Sequence, residues 1–155
     1  MHGFTTERYL REVTVPRVRA GLAEHGRADL PFTVCLPGLV ATGADEESFD
    51  AAVAAVRSQI AFYGATPAYL PVLDLHGWAD LHTELHRLSR QGDWATMTGL
   101  VDDNVLRAFA VVGEPAAVGA EITRRFGDLV DRFTLYTPYT LDEDARRTVV
   151  TALRG

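Results

Sequence analysis

Leu30-Pro-Phe-Thr-Val-Cys-Leu-Pro-Gly-Leu-Val-Ala-Thr-Gly43 is apolar and rich in β-formers, yet broken by prolines. Such a run predicts a buried strand with an irregular middle. Near the other end of the chain, Leu129-Val-Asp-Arg-Phe-Thr-Leu-Tyr136 alternates like a second strand. A helix follows each of them. The first precedes Asp45-Glu46-Glu47 and an apolar stripe of Phe49, Val53, Val56, Ile60 and Tyr63, and the second precedes Asp142 and a helix through Val149 and Leu153. Strands that each lead into a helix are β/α units, whose parallel pairing needs a crossover. The fold class predicted is therefore α/β and rich in helix. Two strands alone make a poor sheet, because each leaves an unpaired edge.

Working outward, Thr6 to Gly26 reads as a helix through Tyr9, Val13 and Leu22, with Gly26 as its left-handed stop. Pro16 predicts a kink or a restart near Thr14. Residues 64–78, Gly-Ala-Thr-Pro-Ala-Tyr-Leu-Pro-Val-Leu-Asp-Leu-His-Gly-Trp, carry loop chemistry with heavy aromatic side chains. Leu81, Leu85 and Leu88 mark another helix, Asp93 starts a short one with Trp94, Met97 and Leu100, and Asp102 or Asp103 starts a turn with Val105, Leu106 and Phe109. Ala110-Val-Val-Gly-Glu-Pro115 leads into a helix faced by Val118, Ile122 and Phe126.

The 155 residues suit one domain and exclude a complete (βα)8 barrel, which takes ~250 residues. A net charge of −6 with scattered arginines leaves no basic stripe for nucleic acid. All the positive side chains are arginine, which codon bias in a GC-rich bacterial genome explains. No run reaches ~18 apolar residues and no secretory signal opens the chain, so no membrane partner is expected and the cytoplasm is the expected location. Cys35, the single cysteine, stands in an apolar run and reads as a small buried hydrophobe.

Few motifs carry chemistry. His82 and His86 stand at i and i+4, a metal-compatible spacing, but a zincin needs Glu directly after the first His, and here Glu84 comes second. The pair reads as a solvated polar face, and no metal ligand is assigned. The carboxylates at 45–47, 102–103 and 142–144 all sit where helices begin, so capping accounts for them. No phosphate loop and no Ser/His/Asp arrangement is present. Tyr63, Tyr69, His76 and Trp78 either line a pocket for a flat ligand or pack as an ordinary loop. Tyr136-Thr-Pro-Tyr139 follows a strand, where α/β proteins place ligands.

Five stretches in order resemble one family: His2-Gly-Phe-Thr-Thr-Glu-Arg-Tyr-Leu-Arg-Glu-Val13, Gln59-Ile-Ala-Phe-Tyr-Gly-Ala-Thr-Pro-Ala-Tyr69, Leu75-His-Gly-Trp78, Phe109-Ala-Val-Val-Gly-Glu-Pro115 and Val130-Asp-Arg-Phe-Thr-Leu-Tyr136. They are similar to the C-terminal part of luciferase-like oxidoreductases, the bacterial luciferase superfamily, and most similar to its deazaflavin-dependent members.

The resemblance implies the C-terminal part of a (βα)8 barrel, incomplete as a barrel: a single partial domain over 1–155, with barrel-derived units at 1–43 and 110–155 and a helical insertion at 44–109. Residues 31–42 would be strand seven, 129–136 strand eight and 142–154 the last helix, with strands one to six lacking. The implied activity is hydride transfer between an organic small-molecule substrate and a deazaflavin (coenzyme F420), FMN being the lesser choice. By position, His2, Phe4, Thr5, Tyr136 and Tyr139 would meet the cofactor, and Tyr63, Tyr69 and Trp78 would form a substrate wall. No proton-transfer residue is identified. The alternative is a non-catalytic assembly domain that pairs its strands with a complementary chain or a second copy.

Overall fold

The computed structural model describes residues 1–29 and 31–154. Leu30, where the predicted first strand opens, lies outside the described residues. Helix α1 (Glu7–Tyr9) runs into a wider π turn over Leu10–Thr14 and then into α2 (Val15–Glu24). Pro16 has no N–H to give to the carbonyl four residues back, and regular helix resumes only with this proline in the first turn of α2. Gly26 ends the helix with φ 63°.

Strand β1 (Cys35–Ala41) is followed by five helices: α3 (Glu46–Gly64), α4 (Leu70–Asp74), α5 (Ala79–Ser89), α6 (Trp94–Leu100) and α7 (Asp103–Phe109). A 3₁₀ turn, Pro67–Tyr69, precedes α4. The stretch predicted as a loop is thus partly helical, because Pro67 and Pro71 both occupy first-turn positions where a missing N–H costs nothing. Then come β2 (Ala110–Val112), α8 (Pro115–Phe126), β3 (Arg132–Tyr136) and α9 (Glu143–Arg154). The acidic clusters cap as predicted: Asp45 and Ser48 form a reciprocal capping box on α3, and Asp93, Asp102 and Asp142 accept first-turn amides of α6, α7 and α9.

The sheet is parallel, in the order β2-β1-β3. β2 is an addition to the two predicted strands, three residues long and directly continuous with α7. It pairs Ala110, Val111 and Val112 with Leu39, Val40 and Ala41. β3 pairs along the first five residues of β1, from Cys35 with Arg132 to Leu39 with Tyr136. Asp131 locks that end, exchanging its amide and carboxylate with the carbonyl and amide of Val34 at 2.9 and 2.7 Å.

Alternation along β1 divides the core in two. Leu36 and Val40 join Val111, Val118, Ile122, Phe126 and Val149 beneath α8 and α9. Leu39 and Ala41 join Ala110, Val56, Ile60, Leu85, Met97 and Phe109 beneath the α3–α7 helices. Gly38 makes room for the first of these layers: a Cβ there would lie 2.1 Å from Cζ of Phe133. The second face is covered only toward the C-terminal end of β1. Cys35, Arg132 and Thr134 are exposed on it, so the expectation of a buried Cys35 is corrected: it stands at the N-terminal end of β1, on an open cleft beside α2.

Candidate functional site

The N-terminal segment runs beside β1, where the Met1 ammonium donates to the Cys35 carbonyl at 2.9 Å, and reaches Tyr136 at the C-terminal end of β3. Gly3 lets that segment touch β1, since a Cβ there would be 2.5 Å from the Pro37 carbonyl oxygen and 3.4 Å from the Tyr136 ring. Phe4 then turns inward, 2% exposed, and stacks on Phe109 at 4.4 Å. It forms the floor of an aromatic cluster. Tyr69 and Tyr63 stand on it, with centroids 5.2 and 5.9 Å away. His2, exposed, lies against both, stacked on Tyr69 at 4.8 Å and edge-on to Tyr63 at 5.0 Å.

Each polar tip in the cluster has a partner. The Phe4 amide donates to His2 Nδ1 at 3.0 Å, His2 Nε2 lies 3.1 Å from Tyr69 Oη, and the hydroxyls of Tyr63 and Tyr136 are 3.3 Å apart. Desolvation and the bond to Tyr63 push the Tyr136 phenol up to about 12, so it keeps its proton at neutral pH. Elements far apart in sequence build this group: the end of α3 brings Tyr63, the 3₁₀ turn Tyr69 and the end of β3 Tyr136.

Five of the eight residues singled out by sequence therefore meet: His2, Phe4, Tyr63, Tyr69 and Tyr136. The other three lie outside this group. Trp78 lies on the far side of Phe109, 6.4 Å between centroids, stacked on His76, whose Nε2 is 2.8 Å from Thr6 Oγ1. Burial and the nearby Arg8 hold the His76 imidazolium down. The Tyr139 hydroxyl accepts the Thr42 amide at 3.0 Å and faces the Val40 and Thr42 carbonyls, which ties the segment after β3 to β1. Thr5 is buried, and its Oγ1, like that of Thr42, has no partner among the described residues.

His82 and His86 are not a solvated face. His82 is 8% exposed, and its Nδ1 meets the Gly64 carbonyl at 2.7 Å, while His86 Nδ1 meets that of Ala65 at 2.9 Å. The two imidazoles cap the carbonyls left over at the C-terminal end of α3. No group of three or more His, Cys, Asp or Glu side chains able to hold a metal occurs among the described residues.

Arg125 was not foreseen. It is 6% exposed, with Nη1 2.9 Å from the Ala110 carbonyl and 3.1 Å from that of Arg107, and Nη2 2.8 Å from that of Ala108. One guanidinium thus caps α7 and holds the start of β2. A charge on the same helical stripe as Val118 and Ile122 was the available signal.

Two clefts lie away from the aromatic cluster. One of about 430 Å³ runs between α2 and the N-terminal ends of β1 and β3, lined by Val18, Leu22, Phe32 and Leu129. Another, about 490 Å³ and open, has arginines and glutamates that largely pair with each other. No described helix is long and apolar enough to cross a membrane.

The sequence pattern of luciferase-like monooxygenases matches residues 1–132. Uncharacterized proteins of Mycobacterium tuberculosis and Mycobacterium bovis are 51% identical over 131 residues, 84% of this chain and 38% of their own length. A 5,10-methylenetetrahydromethanopterin reductase of Methanopyrus kandleri is 27% identical over 134 residues, 86% of this chain and 37% of its own. The solved structure of a coenzyme F420 dependent tetrahydromethanopterin reductase from Methanopyrus kandleri superposes with a TM-score of 0.69 at 22% identity, over 96% of this chain and 41% of that one. The chain thus spans about two fifths of the relatives it matches, and its small parallel sheet corresponds to part of their fold. With its pattern matched from Met1 to Arg132, this chain belongs to the luciferase-like monooxygenase family.

Proposed function

We propose that this chain supplies the C-terminal portion of an oxidoreductase site that takes a deazaflavin, coenzyme F420, and an organic small molecule. Residues 1–43 and 110–155 would be its barrel-derived part and 44–109 an insertion. The observation that carries this is the convergence of His2, Tyr63, Tyr69 and Tyr136 on one aromatic surface that includes the C-terminal residue of β3, since β/α folds bind ligands at the C-terminal ends of strands. A flat ring fits such a surface, and the hydroxyls supply polar handles. The named relatives favour the deazaflavin over FMN. The cofactor would supply hydride exchange, and these residues would orient the ligands and exclude water on one side. Phe4 would support the surface from beneath. Thr5, Tyr139 and Trp78 would act from its margins, and the cytoplasm would be the location. Three strands do not enclose a pocket, so the site would be incomplete in the chain alone. Fluorescence titration with oxidised coenzyme F420 tests this: measurable binding at millimolar Kd is expected, and micromolar binding by the chain alone would overturn the incompleteness.

A second reading, assembly through the sheet, is favoured by one observation. The outer edge of β3 has no partner among the described residues, and Arg132 and Thr134 are exposed beside it. The partner would be a chain carrying complementary strands or a second copy. In size-exclusion chromatography a stable dimer supports self-pairing, whereas a folded, non-aggregating monomer counts against any need for a partner.

A further inference from the structure

Two hydrogen bonds fix the direction of every proton around His2. A backbone N–H can only donate, so the Phe4 amide 3.0 Å from Nδ1 requires a lone pair on that nitrogen. The neutral ring then holds its one proton on Nε2. Nε2 is 3.1 Å from Tyr69 Oη, so the imidazole donates and the phenol oxygen accepts. That leaves the Tyr69 proton uncommitted, because among the described residues this hydroxyl has no other partner. Tyr69 stacks on one side of His2 at 25° between planes and Tyr63 meets it at 88°, which hold the ring plane, and turning the ring over within that plane would lose the hydrogen bonds at Nδ1 and Nε2.

We propose that the Tyr69 hydroxyl is a one-way hydrogen-bond donor to a bound ligand, with His2 as the positioning residue that sets its direction. The group it takes is a hydrogen-bond acceptor on a flat ring, which we assign to a carbonyl. The acceptor follows from the proton directions, and the flatness from the faces of His2, Tyr63 and Tyr69. This rests on the proposed function and deepens it, since such a carbonyl belongs either to the deazaflavin ring or to the organic substrate.

Nitrogen-15 NMR of the labelled chain tests the proton assignment without any ligand. An unprotonated Nδ1 and a protonated Nε2 are expected for His2 near neutral pH, and the reverse pattern overturns the proposal. Binding of oxidised 8-hydroxy-5-deazaflavin, and of cyclohex-2-enone added after it, tests the donor. Tyr69→Phe is expected to weaken one of them about tenfold, the loss of one hydrogen bond. A loss for the deazaflavin assigns the carbonyl to the cofactor, a loss for the enone alone assigns it to the substrate, and no change in either overturns the proposal. His2→Ala is expected to reproduce much of the loss and His2→Gln, which keeps an N–H near the Nε2 position, to restore it. Equal binding by His2→Ala and the unaltered chain overturns the positioning role. An unaltered chain that binds neither probe overturns the proposed site itself, a result distinct from a Tyr69→Phe variant that binds as well as its parent.

Discussion

Arg125 donates from Nη1 to the carbonyl oxygen of Ala110 at 2.9 Å, across the junction where α7 becomes β2. Removing the guanidinium leaves this carbonyl and those of Arg107 and Ala108 without their donors. Arg125→Met is expected to lower the unfolding free energy by about 2–3 kcal/mol, because orphaned buried acceptors cost more than the net value of a bond. Urea denaturation checks this, and a midpoint equal to the parent's would show that the carbonyls find water instead.

The imidazoles of His82 and His86 each secure one carbonyl at the end of α3. Replacing either with alanine is expected to cost about 1 kcal/mol for the cap, with His82 costing more because its buried ring leaves a cavity. Thermal melts with and without zinc separate capping from metal binding. The expected outcome is lower Tm in both variants and no rise in the parent on adding zinc.

At Gly38 the constraint is the Phe133 ring rather than backbone conformation. Gly38→Ala is expected to destabilise by about 1–3 kcal/mol through overpacking. Phe133→Leu in the same chain should return part of that cost. A double-mutant cycle reads the coupling, and strict additivity would disprove the contact.

Desolvation and the Tyr63 hydroxyl push the Tyr136 phenol up to about 12, against 10.0 for an ordinary phenol. Below pH 10 both states are protonated and the shift has no effect on stability. Above it the unfolded chain loses its proton first, so stability falls between about pH 10 and 12. Denaturant midpoints across that window are expected to decline less steeply in Tyr136→Phe. Phenolate absorbance should show one late-titrating tyrosine fewer.

Tyr139 holds the backbone of β1 from across the sheet. In Tyr139→Phe the Thr42 amide loses its acceptor, and its hydrogen exchange is expected to quicken by about tenfold or more. Unchanged protection would mean that another group secures this amide.

The helices were legible because their punctuation is local. Asp45, Asp93, Asp102, Asp142 and Gly26 announce ends by their own chemistry. β2 was not legible, since Ala110-Val-Val112 is too short to alternate and is a strand only because Leu39–Ala41 lies beside it. The same division holds in the site. Aromatic residues beside glycine and proline marked Tyr63 and Tyr69, whereas the inward turn of Phe4 depends on Phe109, and the use of Tyr139 on the backbone depends on Thr42. Cys35 misled because an apolar neighbourhood in sequence does not reveal which end of a strand lies on an open cleft.

The central place of β1 sets the order in which this chain can be assembled. β1 is made before both of its described partners, with Val34 and Asp131 separated by 97 residues. As the chain leaves the ribosome, β1 precedes β2 and β3, and α3 through α7 emerge and collapse on one of its faces before either is made. Only with β2 and then β3 can the sheet close. Pairings of such range are slow to form and expose strand edges while they do. The vulnerable period of this protein is therefore its synthesis, and substitutions that leave the finished fold untouched but delay α7 or α8 will reduce its yield more than its stability.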